Sequence, residues 1–331
     1  EKGTPMFMRT VLALFSGGFA TFALLYCVQP MMPVLSHEYG INAAQSSLIL
    51  SVATAMLAIG LLITGNVMVD GRAMTGPGAV VLESLQFRER FEKWSAAARA
   101  QGAHIWMQIN HPGRQVPAAL GQEAIAPSAV AMQLGSFSRQ FDMPRTMTAA
   151  DVQDVIARFV RTAQLAEQCG FTGVQVHAAH GYLISQFLSP LANKRTDRWG
   201  GSLENRARLL RVIVSGIRQV VGPDFAVSVK IDSADFQRGG FDVDDAKQVV
   251  AMLDLLGVDL IELSGGSYEA PAMHGQARDG RFHAQVAAQL ADDGAGACPV
   301  GFGEDDVQGH GGDAGVAQPS KQQGHPVARP G

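Results

Sequence analysis

Two histidines and a tyrosine, His177, His180 and Tyr182, lie within six positions of one another. The apolar residues 174–176 come directly before them and are typical of a short buried β-strand. Imidazole and phenol groups at the end of a buried strand are costly to leave without a hydrogen-bonding partner. The cluster therefore needs polar partners inside the protein or a bound ligand.

Paired imidazole groups can stabilise the negative charge that develops on a carbonyl oxygen during a reaction. The alternative is that His177 and His180 are core histidines and that Tyr182 is buried and bonded to the backbone, which is the commoner meaning of an isolated H-x-x-H. A metal site is not predicted, because no third zinc ligand stands out beside the two histidines.

The elements that must position this cluster follow an alternating pattern of strands and helices. Near-continuous apolar strands between amphipathic helices indicate a parallel sheet with helices outside it. Polar residues follow each strand, at the end where a (β/α)8 barrel carries its site. The predicted strands are 61–69, 103–110, 173–178, 225–231 and 258–264, and the predicted helices are 89–101, 149–169, 203–221 and 243–256.

The net charge and the cysteine spacing limit the kinds of partner and site that the chain is expected to have. The chain has 331 residues and a formal net charge of -4, which gives no reason to expect a nucleic acid partner. Cys27, Cys169 and Cys298 are far apart and form no C-x-x-C pair. We therefore expect reduced structural thiols rather than disulfides or a zinc site.

Several motifs occur in a fixed order between residues 63 and 281. They are ITGNVMVD, IWMQINHPGRQ, IAPSAV, HAAHGYLISQFLSPLANKRTDRWGGSLENR, VSVKIDSADFQRGGF and IELSGGSYEAP. Together they resemble the Old Yellow Enzyme family of FMN-dependent ene reductases, also called NADH:flavin oxidoreductases. The resemblance implies an α/β (β/α)8 barrel, FMN as cofactor, NAD(P)H as reductant, an enone as small-molecule substrate, and a cytoplasmic location.

The resemblance also implies roles for individual residues. His177 and His180 match the pair that binds the substrate carbonyl oxygen, and Tyr182 matches the proton donor. Gln108 matches the contact to the flavin pyrimidine edge, and Lys230 matches the cation near flavin N1. The alternatives are a surface amide at Gln108 and a solvated edge lysine at Lys230.

Two weaker expectations accompany these roles. Gly265 and Gly266 follow the last predicted strand and would let the backbone approach the cofactor closely. Arg114 is expected to be structural or the partner in an ion pair.

The chain departs from the family pattern at both ends. The first barrel strand is not found ahead of ITGN, and the last two, with the FMN phosphate site, are not found after residue 281. We therefore expect an incomplete barrel domain, 63–281, lacking about three strands, and a low-complexity, disordered tail, 282–331. The open barrel edges predict self-association.

The front of the chain has a different character. Residues 10–35 and 42–69 carry no charged side chain, and each run exceeds the roughly 20 residues that a membrane span needs. Residues 8–65 resemble the start of a major facilitator superfamily transporter, so that a hydrophobic helical segment, 1–62, with membrane contact is expected. Two buried core helices are the alternative. A join between unrelated sequences near 61–66, giving a chimeric and truncated chain, is a further hypothesis.

Overall fold

In the computed structural model of the chain, residues 60–100, 102–270 and 300–302 are described, the last three as backbone only. The strands of these residues are β1 Leu61–Ile63, β2 Val67–Met68, β3 Val80–Val81, β4 His104–Asn110, β5 Ile125–Ala126, β6 Arg145–Thr146, β7 Gly173–Ala178, β8 Ala226–Asp232, β9 Leu260–Ser264 and β10 Val300–Phe302. The helices of four or more α-helical residues are α1 Arg88–Arg99, α2 Ala149–Gln168, α3 Leu183–Leu188, α4 Leu203–Arg206, α5 Arg208–Val220 and α6 Val243–Asp254.

One parallel sheet holds eight of these strands in the order β10-β9-β8-β7-β4-β2-β3, with β1 also paired to β4. Residues 61–63 pair with 104–106, and residues 67–68 pair with 109–110. β1 and β2 therefore act as one barrel strand that is interrupted at 64–66. β5 and β6 form a separate two-stranded sheet in the connection between β4 and α2.

The sheet has one apolar face and one polar face. Val174, Val176, Val227 and Val229 point to the helices and belong to the main hydrophobic core. The alternate residues of the same strands point the other way, because successive side chains of a strand lie on opposite faces. This inner face carries buried polar side chains, namely Gln108, Asn110, Gln175, His177, Ser228, Lys230, Asp232, Glu262 and Ser264.

Local sequence signals determine where α2, the long helix that covers the sheet, begins and ends. Thr148 caps α2: its hydroxyl accepts a hydrogen bond from the Asp151 N–H at 3.2 Å, and the Asp151 carboxylate accepts one from the Thr148 N–H at 2.7 Å. The helix ends before Gly170, which has φ +83° and so adopts a conformation that favours glycine. Thr148 and Asp151 thus form a capping box, which stabilises the start of α2.

The predicted parallel α/β architecture is confirmed, with corrections at the level of elements. The helix predicted at 203–221 is divided at Ala207 into α4 and α5. β3 adds a short strand beside β2, at the edge where the first barrel strand was expected to be missing. β10 pairs in parallel with β9, so that the prediction of a tail without strands is wrong for Val300–Phe302.

The front of the chain is only partly described. Residues 61–63 and 67–68 form strands of the sheet, so that the hydrophobic helical segment predicted for 1–62 does not include residues 61 and 62. Residues 10–35 and 42–59 of the two apolar segments lie outside the described residues. Among residues 60–270, no helix combines the length and the apolar character that crossing a bilayer requires.

Candidate active site

The rings of His177, His180 and Tyr182 lie against one another at the carboxyl end of β7. The centroid of the His177 ring is 5.1 Å from that of His180 and 4.9 Å from that of Tyr182, and both contacts are edge-to-face. His177 and Tyr182 are buried. The structure therefore brings together the three side chains that the sequence singled out.

His180 is held in an unusual backbone conformation. Its φ is +59°, in the left-handed region that non-glycine residues rarely adopt. Its N–H donates to Asp232 Oδ2 at 2.9 Å, and its carbonyl accepts from Gln115 Nε2 at 2.9 Å. The ring Nε2 is 2.6 Å from Ser264 Oγ. These contacts on both sides of the backbone fix the ring beside His177.

Tyr182 presents its hydroxyl to two other polar groups. The hydroxyl oxygen accepts a hydrogen bond from Asn66 Nδ2 at 3.4 Å and lies 3.2 Å from the hydroxyl of Tyr268. Tyr182 is the residue before α3, and its backbone is extended at that point. The start of this helix therefore places the phenol over the end of the sheet.

The environment of His177 determines its charge and its tautomer. Burial holds the pKa of His177 well below its ordinary value, and the nearby charges of His180 and Lys230 act in the same direction. Nδ1 accepts a hydrogen bond from the Ala179 N–H at 3.2 Å. A neutral imidazole whose Nδ1 is an acceptor carries its proton on Nε2. His177 is therefore a neutral donor through Nε2.

A chain of hydrogen bonds crosses the inner face from β4 to β9. Gln108 Nε2 donates to Gln175 Oε1 at 2.7 Å, and Gln175 Nε2 donates to Glu262 Oε2 at 2.7 Å. Lys230 Nζ lies 2.9 Å from Glu262 Oε1, and the Lys230 side chain is 1% exposed. The alternatives of a surface amide at Gln108 and a solvated lysine at Lys230 are wrong, because both side chains are buried.

Two buried carboxylates lie behind the HAAHGY loop. Asp232 accepts hydrogen bonds from the His180 N–H and from Ser185 Oγ. Burial raises the pKa of Asp232 well above its ordinary value, and the nearby charge of Asp235 adds to the effect. Asp232 therefore supports the loop that carries His180.

The weaker candidates occupy supporting positions. Gly265 and Gly266 are buried after β9, and the Gly266 N–H donates to the Ala234 carbonyl at 3.0 Å with φ +80°. Arg114 forms an ion pair with Glu269, and both side chains are less than a tenth exposed. The expectation that Arg114 is an ion-pair partner is confirmed.

Comparison with protein families decides the ancestry of this arrangement. Residues 26–292 match the family model described as the NADH:flavin oxidoreductase / NADH oxidase family. The chain belongs to this family. The match begins inside residues 8–65, so that the findings give no support to a transporter origin of that segment.

Known members of the flavin oxidoreductase family match most of this chain. An NADH-dependent flavin oxidoreductase of Aspergillus parasiticus is 40% identical over 216 residues, which are 64% of this chain and 49% of the relative. One from Neonectria is 39% identical over 70% of this chain and 32% of its own length. An NADPH dehydrogenase of Bacillus subtilis is 35% identical over 72% and 68%. The chain thus spans about a third to a half of the length of the two fungal relatives.

Solved structures of other proteins support the architecture. A 2-naphthoyl-CoA reductase complex superposes with a TM-score of 0.67 and 28% identity, over 73% of this chain and 38% of that chain. An old yellow enzyme homologue of Zymomonas mobilis superposes with a TM-score of 0.59 and 25% identity, over 73% and 75%. The prediction of a partial (β/α)8 barrel is confirmed.

The described residues fit the ring of a flavin. The pyrimidine edge of the flavin ring presents carbonyl oxygens and an N–H, which an amide and an ammonium group can satisfy. Gln108 and Lys230 provide these groups on β4 and β8, on either side of the strand that carries His177. The FMN phosphate site was predicted to be missing from the residues after 281. Of these residues, the structure describes only β10.

Sequence reasoning missed four residues of the site. Asp232 lies two residues after Lys230 on β8, and Glu262 lies two residues before Ser264 on β9. Because strand side chains alternate between faces, both positions could have been predicted to point inward. Asn66 and Tyr268 reach Tyr182 from distant parts of the chain. No local pattern predicts such contacts, because they depend on how the loops after different strands meet.

Proposed function

We propose that this chain is an FMN-dependent oxidoreductase that uses NAD(P)H to reduce the activated C=C bond of α,β-unsaturated carbonyl compounds. The observation that carries the proposal is the contact of His177, His180 and Tyr182 at the polar end of the sheet. Paired imidazoles and a phenol are the groups that this reduction needs, because charge develops on oxygen and a carbon must be protonated.

The cofactor would be held at its ring by Gln108 and Lys230, with close approach of the backbone at Gly265 and Gly266. Reduced FMN, when bound, supplies a hydride to the β-carbon of the substrate. Lys230 brings positive charge to the flavin N1 region, where a cation stabilises the anionic reduced ring. Glu262 holds the Lys230 ammonium in place at 2.9 Å.

The substrate is handled by the chain's own side chains. The carbonyl oxygen accepts a hydrogen bond from the Nε2 proton of the neutral His177 and a second one from the His180 ring. These donors stabilise the enolate oxygen as the C=C π electrons move toward it. Tyr182 then transfers its hydroxyl proton to the α-carbon, which completes the addition of one hydride and one proton.

The proposal is tested by spectroscopy and turnover of the full chain with FMN. We expect a yellow protein that NADH or NADPH bleaches without oxygen and that an enone such as 2-cyclohexenone reoxidises to the saturated ketone. A protein that stays colourless after incubation with FMN, or one that is bleached but never reoxidised by an enone, contradicts the proposal.

Variants separate the two chemical roles. Tyr182→Phe is expected to slow reoxidation by the enone about a hundredfold or more, because a general acid contributes on the order of 10² to 10⁴. His177→Phe keeps a ring against Tyr182 but removes the Nε2 donor, and is expected to weaken enone binding. His104→Asn, at the exposed start of β4, is the matched control and should leave both steps unchanged.

A further inference from the structure

Tyr268 lies between Tyr182 and the solvent, and it has no role in the reaction proposed above. Its hydroxyl is 3.2 Å from that of Tyr182, and the two ring centroids are 6.2 Å apart. Tyr268 is 43% exposed, whereas Tyr182 is 6% exposed. A buried proton donor is thus connected to an exposed phenol through a single hydroxyl–hydroxyl contact.

The position of Tyr268 is fixed by the residues on either side of it. Ser267 forms a β-bridge with His180, and Ser267 Oγ accepts from the Glu269 N–H at 3.2 Å. Glu269 pairs with Arg114 and accepts from the Gln133 N–H at 2.6 Å. A buried ion pair needs additional hydrogen bonds of this kind to be maintained. The contacts of Ser267 and Glu269 therefore hold the chain in place on both sides of Tyr268.

The exposed side of Tyr268 faces an open cleft of about 520 Å³. Its ring also contacts that of Phe141, with centroids 6.4 Å apart. The lining residues are Gln133, Leu134, Phe137, Gln140, Phe141, Tyr268 and Glu269. This cleft is large enough for water, which supplies protons, to reach the Tyr268 hydroxyl.

We propose that Tyr268 is a positioning residue that donates a hydrogen bond to Tyr182 and returns a proton to it from solvent after each turnover. The inference rests on the proposed function, in which Tyr182 gives its proton to the substrate. It assigns to the chain a proton path of two phenols that leads from the cleft to the reacting carbon.

The proton balance of this path is simple. Tyr182 loses its proton to the α-carbon, where a C–H bond forms, and becomes a phenolate. The Tyr268 O–H bond breaks as its proton moves to the Tyr182 oxygen, and a water of the cleft replaces the proton on Tyr268. These proton transfers involve no oxidation or reduction. NAD(P)H, the reductant, supplies both electrons earlier, through the flavin.

Hydrogen bonds explain why a second phenol helps. Bonds to a charged group are roughly twice as strong as those between neutral groups, so that donors aimed at Tyr182 favour its phenolate. Asn66 Nδ2 already donates to the Tyr182 oxygen at 3.4 Å. Tyr268 is the second donor in this arrangement, and it is the one that can also deliver a proton.

The experiment compares Tyr268→Phe and Tyr268→Ala in the FMN-loaded full chain, with an enone and with a quinone as acceptors. Phenylalanine keeps the ring contacts with Phe141 and Tyr182 and removes only the hydroxyl. A quinone is protonated on oxygen by water, so its reduction needs no donor to carbon and serves as the internal control.

We expect Tyr268→Phe to slow enone reduction about tenfold, less than loss of the donor itself, which costs on the order of 10² or more. Quinone reduction by the same variant should stay at the wild-type rate. The solvent deuterium isotope effect on enone reduction should rise, because proton return to Tyr182 becomes slower. Tyr268→Ala should lose activity at least as strongly as Tyr268→Phe.

Each outcome has one meaning. Enone reduction and an isotope effect that are unchanged in Tyr268→Phe overturn the role of Tyr268 and leave the proposed function intact. Loss of both enone and quinone reduction in Tyr268→Phe also overturns it, since the residue is then required for folding or flavin binding. A wild-type chain that reduces the quinone but no enone overturns the proposed function, and the inference with it.

Discussion

Lys230 and Glu262 form a buried ion pair at the centre of the candidate site, with side chains 1% and 9% exposed. Breaking such a pair by removing one partner typically costs about 3–5 kcal/mol, because the other charge stays buried and unpaired. The single changes Lys230→Met and Glu262→Gln should therefore each destabilise the fold strongly.

The double variant is predicted to be less destabilised than the two single changes added together. Urea unfolding of the four proteins in a double-mutant cycle measures this coupling. A coupling energy within about 0.5 kcal/mol of zero would show that the two groups do not interact, since that is the usual error of additivity. Lys247 and Asp244, a pair that is partly exposed, provide the matched control.

His111 gives a second prediction at the residue scale, through pH. Burial lowers its pKa from 6.5 to about 4, and its ring is enclosed directly after β4. The unfolded chain therefore binds a proton between these pH values that the folded chain does not. The free energy of unfolding should fall as the pH is lowered from about 6.5 to about 4, by about 3 kcal/mol at 1.4 kcal/mol for each pKa unit.

His111→Asn tests this assignment. The Asn side chain can still accept the hydrogen bond that the Gly113 N–H gives to His111 Nδ1 at 3.0 Å, but it does not titrate. The variant should show a smaller loss of stability than the wild type between pH 6.5 and pH 4. An identical pH profile in both proteins would show that His111 is not the group responsible.

At the scale of elements, α2 depends on its N-terminal capping box. Thr148→Ala removes the hydroxyl that accepts from the Asp151 N–H and should lower the free energy of unfolding by about 1 kcal/mol. Thr148→Ser should restore most of this loss, and Thr146→Ala, at an exposed position two residues earlier, is the control. Equal effects of Thr148→Ala and Thr146→Ala in urea unfolding argue against the cap.

The inner face of the sheet shows how elements determine the site. The apolar residues of β7 and β8 pack on the helices, so that the alternate residues must point inward. Strand register then places His177 beside Lys230 and Lys230 beside Glu262. The polar row is therefore a consequence of alternation and register together, and a shift of one residue would bury it against the helices.

At the scale of the whole molecule, the predicted absence of the FMN phosphate site has a direct test. Riboflavin lacks the phosphate, so that FMN and riboflavin should bind this chain with nearly equal affinity, as measured by quenching of flavin fluorescence. A hydrogen bond to a charged group contributes roughly 1.5–3 kcal/mol, or about a factor of ten or more in affinity. Binding of FMN more than about a hundredfold tighter than riboflavin would contradict the prediction.

The outer strands of the sheet give a second prediction at this scale. Within the described residues, β3 and β10 each pair with one neighbour only. Unpaired strand edges are templates for association with another chain. Self-association of the full chain stays a prediction, and sedimentation velocity at increasing protein concentration should show a rising mass. A constant monomer over the concentration range contradicts it.

The amino-acid sequence alone determined the family, the parallel α/β architecture, and the residues His177, His180, Tyr182, Gln108 and Lys230 as candidates. These features are carried by local patterns, namely strand and helix periodicity, helix caps and contiguous motifs. The sequence also predicted a strand-free tail, which β10 contradicts, because three residues of strand leave no distinct pattern.

Only the tertiary structure decided how the candidates are connected. The partners Glu262, Asp232, Asn66 and Tyr268 come from different strands and loops, separated from their contacts by 32 or more residues in the chain. Such contacts follow from strand register and loop packing, which no local pattern encodes. The protonation of His177 likewise depends on burial and on the Ala179 N–H, and therefore on the folded chain.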